Sequence, residues 1–152
     1  MEEYIHMGFI YGAWRRKVSE ALLPFGITFQ QYQLVAFARR KGAAILSAAA
    51  SELGMDRPTL TLVVRKCVES GWLTRSVYFS DKRSSRIALT GEGEELLDSI
   101  ESARIFSFES TGDAFDILGS DERSELRRML DKASRRARDI YIGARRGRLR
   151  RR

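Results

Sequence analysis

The stretch LSAAASELGMDRPTLTLVVRKCVESGWLTRSVYFSDKRSSRIALTGEGEELL, residues 46–97, changes its periodicity twice. Ser47 can cap a short helix over AAASEL, and Gly54 supplies the tight exit that lets the next helix start at a steep angle. Asp56 is the next cap. Pro58 falls in the first turn, where its missing N–H costs little, and the helix continues through TLTLVVRKCVES to Gly71. Past Gly71 helical spacing gives way to alternation: WLTRSVYF reads as a strand, SDKRSS as a polar tip and RIALT as the returning strand. Short helix, glycine turn, second helix and charged hairpin together make a winged helix-turn-helix, whose second helix can enter a DNA major groove.

The flanks read as helices. In EEYIHMGFIYGAWRRKVSEALLPFG, Tyr4, Met7, Tyr11, Trp14, Val18 and Ala21 recur at spacings of three and four, and Pro24 with Gly26 ends the helix. Thr28 and Gln31 have capping-box spacing, which predicts a helix from Phe29 to Arg40, stopped by Gly42. Downstream, Thr90 caps a long helix through GEGEELLDSIESARIFSFES, broken near Gly112, and Ser120 caps a last helix. Leu126, Met129, Leu130, Ala133, Ala137 and Ile140 form its apolar stripe. Residues 143–152, rich in arginine, are expected to be a disordered basic tail.

Charge sharpens this division. The 152 residues hold 27 Lys and Arg against 20 Asp and Glu, a net of +7, which favours a polyanionic partner. Six arginines crowd the tail, so the rest of the chain carries only +1. Within it, residues 55–90 are net +4 and residues 91–140 net −5. The winged segment is therefore basic and the segment after it acidic. Cys67 is the sole cysteine, which excludes an intrachain disulfide and points to a reducing compartment, the cytoplasm. Apolar runs stop well short of a membrane span, and MEEY is the wrong opening for a signal peptide, so no membrane role is expected.

Over Thr28 to Leu97 the chain resembles the multiple antibiotic resistance regulator (MarR) family of transcription regulators. The match runs through Ser47 to Leu53, Gly54, then Asp56, Arg57, Thr59 and Thr61, and on to Gly71 and Arg75. It ends on the hairpin signature of Asp81, Arg83, Leu89, Thr90 and Gly93. The resemblance implies a mainly α fold with a small β wing. Its winged helix-turn-helix domain (27–92) would be flanked by an N-terminal dimerisation helix (1–26) and C-terminal dimerisation helices (93–142).

Candidate DNA-binding residues on the recognition helix are Arg57, Thr59, Thr61, Leu62 and Arg65; on the wing they are Arg75, Asp81, Lys82, Arg83 and Arg86. Leu62 stands where the family often has arginine. Arg65 lies on the same helix face and can take over a base contact, while Leu62 can meet a thymine methyl. By analogy Arg83 enters the minor groove, Asp81 orients its guanidinium, and Lys82 and Arg86 suit flanking phosphates. A solvated hairpin tip whose charges blunt an edge strand is the plainer reading of SDKR alone.

The resemblance also implies a homodimer on a pseudo-palindromic operator of double-stranded DNA, acting as a repressor. A small aromatic or amphipathic effector would sit between the dimer helices and the winged domain, with Tyr11, Trp14, Arg15 and Tyr32 as candidate pocket residues. Cys67 continues the apolar stripe of Leu60, Val63 and Val64 and reads as a buried small hydrophobe. His6, the only histidine, has no neighbouring ligand for a metal site, and no phosphate-binding loop or nucleophile set is present. Neither an enzyme, a cofactor nor a metal is expected. The rival readings are a sequence-tolerant DNA-architectural protein and a protein-interaction module on a degenerate winged fold.

Overall fold

Six helices and three short strands are present among residues 1–77, 85–106 and 114–149, the part of the chain that the computed structural model describes. They fall into two compact units, Met1–Gly112 and Asp113–Arg152. Helix α1 (Glu2–Leu22) buries only its end, Val18 and Leu22. One 3-10 turn (Leu23–Phe25) and Gly26, at φ 66°, then reverse the chain.

Helix α2 (Phe29–Lys41) starts on the expected capping box. The Thr28 hydroxyl accepts the Gln31 N–H at 3.3 Å, and the Gln31 side chain accepts the Thr28 N–H at 2.8 Å. Two orphan donors are satisfied at once. Leu34, Val35, Phe37 and Ala38 of α2 make it the central post of the first unit. Around it pack α1, the sheet, α4 (Arg57–Glu69) and α5 (Gly91–Ser102).

The sheet is antiparallel, in the order β1-β3-β2, with β1 Ala44–Ile45, β2 Leu73–Val77 and β3 Ser85–Leu89. Strand β1 was not expected. It pairs Ala44 with Ile87 and Ile45 with Arg86, and its extended end at Ile45 leads straight into α3 (Leu46–Glu52). Ile45 therefore holds the cap position, and Ser47 sits inside the first turn with no side-chain cap bond at that end.

Three further expectations are corrected. Helix α5 stops at Ser102, not near Ser110, because Arg104 turns into the left-handed region (φ 52°) and delivers Ile105 to the core. Beside Ile105, Phe106 stacks on Tyr32 with ring centroids 4.6 Å apart. In the second unit, Gly119 precedes helix α6 (Ser120–Leu149) and donates its N–H to Glu122 at 2.8 Å, while Ser120 is already helical. The helix also continues to Leu149, through most of the segment expected to be disordered from residue 143. Arginine and leucine are good helix formers, and cations at a helix C-terminus complement its dipole.

Candidate nucleic-acid interface

Helix α4 is started by its own sequence. The Asp56 carboxylate accepts the Thr59 N–H at 2.7 Å, and Pro58 occupies the first turn. Its inner face buries Leu60, Val63, Val64 and Cys67. Burial pushes the Cys67 thiol up to about 12, so the sulfur serves as packing. The outer face is open. Arg57, Pro58, Thr61, Leu62 and Arg65 line a shallow groove of about 460 Å³ along it. Arg65 Nε lies 3.6 Å from Glu69, one turn on, and the Thr61 hydroxyl donates to the Arg57 carbonyl at 2.8 Å.

Four of the five expected recognition-helix residues thus come together. Thr59 does not: it is half-buried on the flank and lines a different cavity. Pro58 joins the groove although sequence reading assigned it only a helix-starting role. The signal was available, since Pro58 is four residues before Leu62 and seven before Arg65, which puts all three on one helix face.

At the base of the hairpin, Arg75 donates to the Ser85 hydroxyl across the strands at 3.0 Å. Arg86 is on the central strand β3, opposite Ser76 and Ile45, so it belongs to the sheet and not to the tip. Asp81, Lys82 and Arg83 lie outside the described residues. The hairpin is joined to α5 by Thr90, whose hydroxyl donates to the Gly71 carbonyl at 2.6 Å and accepts the Gly93 N–H at 3.0 Å. Gly93 has no room for a side chain, because a Cβ there would lie 2.3 Å from the Trp72 carbonyl oxygen. The spacing of Thr90 and Gly93 is the chemistry of this joint.

The expected effector residues separate. Tyr11 and Arg15 of α1 line a cavity of about 260 Å³ with Gln30 and Gln33 of α2, the turn Leu53–Asp56, and Thr59. Trp14 packs edge-on against Phe29 at 5.4 Å, next to that cavity. Tyr32 is not in its lining. It stacks on Phe106, and burial, reinforced by the charge of Glu101, raises its pKa.

One polar cluster was missed altogether. Arg39 of α2 meets Glu94, Asp98 and Glu101 of α5 at 3.0, 2.7 and 3.1 Å. Burial works against its charge, but the hydrogen bond that Arg39 donates to Asp98 and the three carboxylates outweigh it and raise its pKa. Glu94, Asp98 and Glu101 recur at four and three, so the face of α5 that receives Arg39 was visible as an acidic stripe. No helix among the described residues is long and apolar enough to cross a membrane.

No family model matches the chain. It is 30% identical over 94 residues to the HTH-type transcriptional regulator YwoH of Bacillus subtilis (strain 168), covering 62% of this chain and 67% of that protein. A mutant MarR from E. coli complexed with operator DNA superposes with a TM-score of 0.73 at 23% identity, over 87% of this chain and 91% of that one. CouR from Rhodococcus jostii RHA1, bound to p-coumaroyl-CoA, gives 0.70 at 23% identity, over 84% and 87%.

Proposed function

The chain belongs to the MarR family of winged helix-turn-helix transcription regulators, and we propose that it works in the cytoplasm as a homodimeric repressor of a pseudo-palindromic operator. The observation that carries this reading is the outer face of α4. Its inner side is fixed in the core, so Arg57, Thr61, Leu62 and Arg65 form a prepositioned surface between a capped N-terminus and a hairpin. A helix presented in this way docks in the major groove, and two of them about 34 Å apart read two half-sites.

Support for the second copy comes from α1. Tyr4 and Phe9 are 75% and 78% exposed, on a helix whose far end is buried. Apolar surface of this kind is covered when two subunits pair. The proposed division of labour is therefore dimerisation by residues 1–26 and 93–142 and DNA binding by residues 27–92. The Tyr11 and Arg15 cavity is proposed to take a small effector that changes DNA affinity, as its lining reaches the residues that start α4. That one relative is bound to an acyl-CoA and another to operator DNA supports both halves of the proposal.

The test is selection of a binding site from random duplexes, followed by fluorescence anisotropy at physiological salt. A regulator prefers its selected site over arbitrary duplex by about 10³ or more. A ratio near one would replace this reading with the sequence-tolerant architectural one.

A further inference from the structure

The outer face of α4 is more apolar than its arginines suggest. Leu62 is 45% exposed, and exposed Pro58 lies one turn before it. Thr61, beside both, has its hydroxyl proton committed to the Arg57 carbonyl, and its methyl is what it adds to the apolar surface. Pro58, Thr61 and Leu62 thus give the groove a continuous apolar floor, flanked by Arg57 and Arg65.

In a major groove only one base edge offers an apolar group, the C5-methyl of thymine. Cytosine, guanine and adenine present polar edges there, and each would be desolvated against Leu62 with no hydrogen bond in return. The flanking guanidinium groups suit phosphates or the acceptor edge of guanine, and together with an apolar floor that matches the thymine methyl they fit duplex DNA.

We infer that the chain selects its operator by thymine methyl groups, read by the apolar floor of Pro58, Thr61 and Leu62. This rests on the proposed DNA-binding function and adds what α4 reads. Uracil differs from thymine only by the missing methyl, and that methyl lies in the major groove, so any contact made in the minor groove sees the same acceptors in both.

The experiment takes the operator selected from random duplexes and replaces each thymidine in turn by deoxyuridine. Wild-type protein is expected to lose about fourfold in affinity at each methyl that it covers, the worth of one buried methyl-sized group. Leu62→Ala, a substitution favourable to an exposed helix position, is expected to bind the thymidine operator more weakly and to lose that discrimination at one or more positions. Circular dichroism checks that the variant is folded. An all-uridine operator bound as well as the thymidine one, or an unchanged uridine penalty in Leu62→Ala, would overturn the inference while leaving operator binding intact. Failure to select any site would overturn the DNA-binding reading itself, and this inference with it.

Discussion

Helices α4 and α6 are built on the same pattern, one apolar face and arginines on the rest, and meet opposite fates in the chain. The apolar face of α4 is covered by its own unit, down to Cys67 and Val64 at 0% and 1% exposure. On α6, Leu126 and Leu130 are only half-buried, Met129 is exposed and Ile140 is 58% exposed. A covered inner face turns the outer face into a fixed surface suited to recognition. An uncovered one is the surface against which a second copy is proposed to pack. The first half of α1 belongs with α6 in this respect.

The largest expected effect comes from attacking the uncovered faces. Phe9→Glu or Leu130→Glu places a carboxylate where a second copy is proposed to pack, and should turn the dimer into a folded monomer in sedimentation velocity. Operator affinity should then fall by about 10²-fold or more, because two linked half-site contacts become one. Either variant sedimenting as wild type would mean that its helix is covered by something other than this dimer. The same charge in α4 would have a different result, an unfolded winged domain, because no chain boundary runs through its apolar face.

Next is the joint that fixes the hairpin against α5. Gly93→Ala forces a methyl to within 2.3 Å of the Trp72 carbonyl oxygen and 2.7 Å of Leu89 Cδ1. Backbone has to move. The expected loss is about 1–3 kcal/mol in urea unfolding. An unchanged midpoint would show that α5 can shift without cost, and would weaken the contrast between a rigid winged domain and helices with uncovered faces.

Local chemistry accounts for what the sequence disclosed. The caps at Thr28, Asp56 and Thr90 and the reversals at Gly26, Gly54 and Gly71 are each settled within a few residues. What stayed hidden depends on distant partners. Strand β1 exists because Ala44 and Ile45 pair with residues more than forty positions later, and that pairing takes the cap position from Ser47. The end of α5 is set by the burial of Ile105, and the place of Tyr32 by Phe106. Arg39 finds its three carboxylates from another helix. For the candidate site, the outer face of α4 follows from helical spacing, whereas the cavity beside Tyr11 and Arg15 needs three elements to assemble.

A smaller effect probes the covered face directly. The Cys67 thiol is raised from 9.0 to about 12 by burial, so the folded chain favours the neutral form. Its stabilising contribution is complete below the ordinary pKa and is lost as pH rises through about 12. The thiolate is the reactive species, so at pH 8 a thiol reagent should label native protein about 10³-fold more slowly than unfolded protein. Fast native labelling would mean that the inner face of α4 opens to solvent, removing its difference from α6.

The smallest expected change concerns the basic end of α6. Deleting residues 147–152 removes Arg148, Arg150, Arg151 and Arg152 and, of apolar side chains, only Leu149. Neither dimerisation nor thermal stability should respond, because the apolar stripe from Leu126 to Ile140 is left whole. DNA binding should respond through salt alone. Each arginine that reaches a phosphate releases counterions, so its removal should flatten the dependence of log K on log salt by about 0.9, weakening operator and arbitrary duplex alike. Contacts from α4 to base edges would instead change the ratio between the two. An unchanged salt slope in the truncated protein would assign DNA binding to the winged domain by itself and leave α6 with a single role, its apolar face.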